Sequence, residues 1–343
     1  MRHLPVMWIF LAAVVAAVDA VANRAPGYPN AQFLVETQEL ASWLGRRPEL
    51  RIIDARDPGS YQEGHLPGAV NLPAGTTDDL GANRQGFPLP LTWAQRLLRI
   101  AGITVSSRLV VYDEQGNLLA ARVFYFLEFF GNSHVAVLNG GLKKWKAEGR
   151  AVTMDVPHVP EGDFAPAPNP PRGATSDWLV KNLNNPQVVI VDARSPAEYR
   201  GERGVDSRGG HVPGAVNIPW NHVLTPGESQ TFLPAAALRQ VFAELKITPD
   251  RQVVTYCRVG TRAADIYFAL RLLGFKQVRL YDGGMGRLER GPQAPGTAIG
   301  RGPVCACANH FPIRRRQDGP VRYPGPLLPP PGPCGPGHPH NRG

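Results

Sequence analysis

Short apolar runs alternate with segments whose apolar residues recur every three or four positions, and the alternation persists from about residue 32 to residue 284. Ile52-Ile53-Asp54, Val110-Val111-Tyr112, Val189-Ile190-Val191-Asp192 and Val253-Val254-Thr255-Tyr256 are rich in β-branched and aromatic side chains. That is the pattern of strands covered on both faces. Helical spacing predicts helices over residues 37–44, 92–101 and 119–130, and again over 175–182, 234–245 and 261–273. In the last of these, Ala264, Ile266, Tyr267, Leu270 and Leu273 share a face and Gly274 supplies the stop. Strands alternating with helices predict an α/β fold with a parallel sheet flanked by helices.

The pattern occurs twice. Arg51-Ile52-Ile53-Asp54-Ala55-Arg56 matches Val189-Ile190-Val191-Asp192-Ala193-Arg194. Gly64-His65-Leu66-Pro67-Gly68-Ala69-Val70-Asn71 matches Gly210-His211-Val212-Pro213-Gly214-Ala215-Val216-Asn217, and Leu138-Asn139-Gly140-Gly141 matches Tyr281-Asp282-Gly283-Gly284. The matches keep their order, so two copies of one domain are expected, at residues 30–150 and 175–290. Residues 151–174 between them form a Pro- and Ala-rich linker without periodicity.

The copies differ where chemistry is expected. Cys257 closes the strand run at Tyr256 and precedes Arg258-Val259-Gly260-Thr261-Arg262, where the last helix begins. Backbone N–H groups at such a turn lack partners and the helix dipole favours an anion, so a thiolate is at home there. The ordinary alternative is an inert buried cysteine; the two arginines and the glycine favour a nucleophile. In the first copy the aligned residue is Asp113, which offers no thiol nucleophile, so that copy is expected to be catalytically inactive and to buttress the second.

The Cys-Arg-x-Gly-x-Arg loop within a duplicated βα frame resembles the tandem-domain rhodanese family, the thiosulfate and 3-mercaptopyruvate sulfurtransferases. The resemblance implies two rhodanese-like domains, each a parallel β-sheet flanked by helices, with the active loop near their interface. It implies that Cys257 takes the outer sulfur of thiosulfate as a persulfide and passes it to cyanide or a thiol acceptor. It also implies that Arg194, Arg258 and Arg262 hold the anionic substrate, around an active-site loop of Val259, Gly260 and Thr261. For Arg194 an internal contact with Asp192 is the competing expectation, and Arg262 could instead pair at the helix start. Arg258 favours thiosulfate over 3-mercaptopyruvate as donor, while Val259 lacks the lysine charge of some thiosulfate enzymes. His65 and His211 sit in the same frame in both copies and are expected to be structural, and Glu198-Tyr199 to be helix packing. No metal or organic cofactor is required. Two other readings are a non-enzymatic sulfur carrier and a phosphatase or arsenate reductase of the same fold. The latter enzymes place five residues between Cys and Arg, and only four stand between Cys257 and Arg262.

The ends of the chain add a compartment. Arg2, the apolar run over residues 6–18 and Ala20-Val21-Ala22 have the layout of a signal peptide cut after residue 22. A periplasmic or secreted protein, with no stable membrane insertion after cleavage, is therefore expected. Of four cysteines only Cys257 falls in the expected domains, so no disulfide forms within them. The net charge is +9, but residues 285–343 hold eight Arg against two acidic residues, a surplus of six. The basic balance is thus a property of a Pro/Gly/Arg-rich tail, with disorder expected over 291–343, and no nucleic-acid partner is expected. The family continues after this turn with a Trp-containing segment; here it reads Met285-Gly286-Arg287-Leu288-Glu289, as a shifted reading frame would give.

Overall fold

The computed structural model describes residues 27–77, 89–202 and 209–285. The expected signal segment and the tail from 286 onward lie outside the described residues. The first sheet comprises β1 (Leu34–Val35), β2 (Leu50–Asp54), β3 (Ala69–Asn71), β4 (Arg108–Tyr112) and β5 (Val135–Leu138), in the order β1-β5-β4-β2-β3. The second comprises β6 (Val188–Asp192), β7 (Val216–Asn217), β8 (Gln252–Tyr256) and β9 (Val278–Leu280), in the order β7-β6-β8-β9. All pairings within the two sheets are parallel. The duplication reaches the register: Ile52 lies opposite Val110 and Ile190 opposite Val254. Parallel strands need crossovers, and helices supply most of them.

The helices are α1 (Thr37–Trp43), α2 (Pro58–Glu63), α3 (Leu91–Ile100), α4 (Leu118–Phe129), α5 (Gly141–Ala147), α6 (Ser176–Asn182), α7 (Pro196–Arg200), α8 (Ala235–Ala243) and α9 (Thr261–Leu272). Those that periodicity predicts begin and end within one or two residues of expectation. Helices α2 and α7, of six and five residues, are too short to show a period. Local chemistry starts them instead: Asp57 accepts the Ser60 amide ahead of Pro58 at the start of α2. Likewise Ser195 and Glu198 form a capping box ahead of α7.

Two long helices hold the copies together. Helix α4 follows the Asp113 turn and α9 follows the Cys257 turn, and both are apolar and buried along most of their length. They pack on each other through Phe124 and Phe268 (ring centroids 4.8 Å apart, edge to face) and Tyr125 and Tyr267 (5.1 Å). At the far end Glu128 accepts from Arg271 and from the Tyr267 hydroxyl. The linker lies along the first domain: Thr153 exchanges backbone bonds with His65, and the Gly162, Phe164 and Ala167 amides donate to Arg99, Ile103 and Phe130 carbonyls. A side chain at Gly162 would stand 1.8 Å from the Ile103 carbonyl, so only glycine fits. Phe268 is fully buried at the seam. Phe268→Ala is therefore expected to cost about 3–5 kcal/mol, read as a lower urea midpoint in equilibrium unfolding.

Candidate active site

Strand β8 delivers Cys257 to the carboxyl edge of the second sheet, where parallel α/β folds place their ligands. The side chain is 1 % exposed. The turn that follows is built around two glycines. Gly260, with φ +92, immediately precedes α9, and its N–H donates to Cys257 Sγ at 3.1 Å. Gly284, with φ +53, passes beneath the turn, where a Cβ would stand 2.3 Å from the Arg258 carbonyl oxygen. The Met285 amide then donates to the Cys257 carbonyl at 2.8 Å. At the tip of the turn, Arg258 and Val259 are exposed to solvent.

Arg262 sits half-buried in the first turn of α9, and both nitrogens of its fork donate to Glu198, each at 2.7 Å. Burial would lower its pKa, but the Glu198 bond and the charges of Cys257, Glu198 and Asp192 raise it, so the guanidinium is a permanent cation close to the sulfur. Burial would raise the Glu198 carboxyl; the Arg262 fork and the Ser195 amide and hydroxyl outweigh it and hold the group at about 2. Glu198 is thus more than helix packing. It closes the cap of α7 and aims Arg262, across 64 residues of sequence.

Arg194 makes the internal contact that is the alternative to its substrate role. It is fully buried, with Nε and Nη2 on Asp192 (3.0 and 2.7 Å) and Nη2 also on the Gly210 carbonyl. Tyr256 completes the knot. Burial and the Asp192 charge push its hydroxyl well above its usual range, and it donates to Asp192 at 2.6 Å. Arg56, Asp54 and Tyr112 make the same knot in the first copy, which has no nucleophile. The geometry therefore favours the internal contact over substrate binding for Arg194. The two histidines follow the same logic: His65 stacks on Tyr61 and His211 on Tyr199, each donating Nδ1–H to that tyrosine's carbonyl.

The first copy displays the same turn with a carboxylate in it. Asp113 is fully buried and accepts four backbone N–H groups, from Gln115, Asn117, Leu119 and Ala120. Burial outweighs those four bonds and leaves its carboxyl above the usual range. The second domain covers this turn. Asn117 donates to the Gln230 carbonyl, Asn139 accepts the Phe232 amide, and side chains at Gly116 or Gly140 would meet Gln230 or the Ser229 carbonyl at 2.9 Å.

Sequence reasoning assigned nothing to Arg122, the one charged side chain in the first two turns of the otherwise apolar α4. It is fully buried and spans the two copies, pairing through both terminal nitrogens with Asp282, the residue before Gly283-Gly284. A lone arginine in an apolar helix was the available signal. Among the described residues no group of three or more His, Cys, Asp and Glu is placed to hold a metal ion, and no helix is long and apolar enough to cross a membrane.

The model of the rhodanese-like domain family matches residues 36–148 and 175–289. The thiosulfate sulfurtransferase of Azotobacter vinelandii is 32% identical over 268 residues, covering 78% of this chain and 98% of that protein. The sulfur carrier protein TtuD of Thermus thermophilus is 33% identical over 271 residues, covering 75% and 93%. The crystal structure of the 3-mercaptopyruvate sulfotransferase SseA from Escherichia coli superposes with a TM-score of 0.65 at 31% identity, covering 74% of this chain and 98% of that one.

The Glu198 carboxyl titrates near 2 in the fold against 4.5 for a free side chain. A depressed carboxyl contributes stability that is complete above about pH 4.5 and is lost as pH falls toward about 2. Glu198→Gln is expected to flatten the fall of Tm across that window and leave other acid-side losses in place. Thermal scans of both proteins at stepped pH values check this.

Proposed function

This chain belongs to the rhodanese-like family, a family of sulfurtransferases, with one copy of the domain on either side of its linker, and we propose that it moves the outer sulfur of thiosulfate through a persulfide on Cys257. The observation that carries the reading is the Gly260 N–H on Cys257 Sγ, in a turn flanked by Arg258 and Arg262. A buried sulfur with an amide donor and a fixed cation beside it is placed as a nucleophile. The thiolate attacks the outer sulfur of thiosulfate; the S–S bond of the donor breaks, and sulfite leaves with the bonding pair. Arg258, exposed at the loop tip, receives the sulfonate oxygens by charge-assisted hydrogen bonds. Arg262 adds its charge, but its fork is turned to Glu198, so it acts on the sulfur through the field rather than by grasping the donor. That orientation also argues against an oxyanion hydrolase, which needs the loop arginine turned toward the anion.

The persulfide carries one added sulfur, with the turn's amides available to it as an anion nest. Cyanide or a thiol acceptor then attacks the terminal sulfur, the S–S bond to Cys257 breaks, and the cysteine leaves as thiolate. The two half-reactions give ping-pong kinetics. No step requires a metal or an organic cofactor. 3-Mercaptopyruvate is the alternative donor, and a carrier role that passes sulfur only to a protein thiol is the alternative outcome. The apolar run over residues 6–18 and the single thiol in the two domains support export to the periplasm or beyond.

Thiocyanate formation from thiosulfate and cyanide is expected for the native protein, with parallel lines in double-reciprocal plots. Cys257→Ser is expected to abolish it. Mass spectrometry after thiosulfate treatment is expected to show one added sulfur on the Cys257 peptide. Turnover with 3-mercaptopyruvate alone would move the donor assignment, and a persulfide that forms but never yields thiocyanate would favour the carrier.

A further inference from the structure

We propose that Arg122, from the copy without a nucleophile, is a positioning residue for the Cys257 loop, acting through Asp282 on Gly260. The proposal rests on reading Cys257 as the nucleophile and names the part of the first domain that sets its loop. Arg122 is fully buried, and a buried guanidinium is costly unless its donors are met. They are met on both sides of the domain seam. Nε donates to Thr77 Oγ1 (3.2 Å) and Nη2 to the Thr77 carbonyl (3.0 Å) within its own copy. Nη1 and Nη2 each donate to an oxygen of Asp282 in the other copy, the second at 2.9 Å. Such a planar fork on a planar carboxylate fixes orientation as well as distance.

The held carboxylate does one further thing. Asp282 Oδ1 occupies the space a side chain on residue 260 would need: a Cβ there would stand 2.2 Å from it and 3.0 Å from Arg122 Nη1. Asp282 is therefore the wall against which Gly260 adopts φ +92, and the Gly260 amide is the group that donates to Sγ. Met285, three residues beyond Asp282, donates its amide to the Cys257 carbonyl, and Gly284 passes so close beneath the turn that a Cβ there would stand 2.3 Å from the Arg258 carbonyl oxygen. Without Arg122 the Asp282 side chain, 7 % exposed, would be left without this counter-charge, and swinging toward water would remove the wall.

A positioning role and a simple field effect predict different signs. By field alone, removing the Arg122 cation would disfavour the thiolate, and removing the Asp282 anion would favour it. By positioning, either loss releases the same glycine. The test is the rate of iodoacetamide alkylation at pH 7, followed on the Cys257 peptide by mass spectrometry in the full chain. Arg122→Gln and Asp282→Asn are each expected to slow it about tenfold, the worth of one hydrogen bond to a charged group. The double variant should be no slower than either single one, and Arg122→Lys should recover part of the rate. Glu128→Gln, which weakens the same seam without touching the loop, should alkylate at the native rate. In turnover, kcat should fall while KM for thiosulfate stays within about twofold, as for a group that shapes the reacting sulfur rather than substrate binding.

Opposite changes in the two single variants, native rates in both, or a multiplicative double variant would overturn the proposal. Should Arg122→Gln not fold, Asp282→Asn decides alone: slower supports it, unchanged or faster sinks it. Alkylation needs no sulfur donor. A native protein that forms no thiocyanate would therefore defeat the functional reading and leave this one standing.

Discussion

The packing of α9 on α4 is the constraint from which the rest follows. Helix α9 is buried from Ala263 to Leu272, so the element that opens directly from the Cys257 turn is also the main surface by which the second domain meets the first. Phe124 and Phe268 each stand eleven positions beyond Asp113 and Cys257, and they meet edge to face. The two copies thus touch at equivalent points, as a pseudo-twofold arrangement requires. An apolar, aromatic centre supplies most of the free energy of such a contact but little directional preference.

Direction comes from the ionic groups at either end. Arg122 with Asp282, and Glu128 with Arg271 and Tyr267, are two charged clasps on an otherwise apolar seam. Buried ion pairs contribute little net stability because desolvation offsets attraction, yet each tolerates only a narrow range of geometry. Aromatic surface to bind and ion pairs to orient is a division of labour, and of the two clasps only Arg122 with Asp282 stands beside the turn whose amide meets the sulfur at 3.1 Å.

Duplication explains much of what is legible in the sequence, and it bears on Arg194 as well. The strands and long helices were readable because parallel strands are apolar on both faces and the helices carry regular apolar spacing. The Cys257 turn was readable because strand end, glycine and helix start are all local signals. His65 and His211 were assigned to structure on the ground that both copies hold them. The same test applied to Arg56 and Arg194 would have assigned them likewise, since each ties its own Asp-x-Arg motif to a strand tyrosine. What could not be read was pairing at long range. Glu198 meets Arg262 and Arg122 meets Asp282 across 64 and 160 residues, and no periodicity or spacing records such partners.

The two turns together show why one copy can keep the architecture and lose the chemistry. A turn between strand and helix offers inward amides, and an anion must satisfy them. In the first copy the Asp113 carboxyl fills the turn, with four donors on its two oxygens and a loop of the second domain laid across the opening. Nothing there can be exchanged. In the second copy the sulfur takes one amide at 3.1 Å and has an aimed guanidinium beside it, while the loop tip stays exposed. On the proposed persulfide reading, the sulfur extends by one atom and shortens again within the turn, which a carboxylate cannot do. With its own turn filled, the first domain is free of catalytic demands, and α4 can carry Arg122 into the neighbouring site. On the proposed reading, the filled turn at Asp113 and the clasp at Asp282 are two sides of the same specialisation.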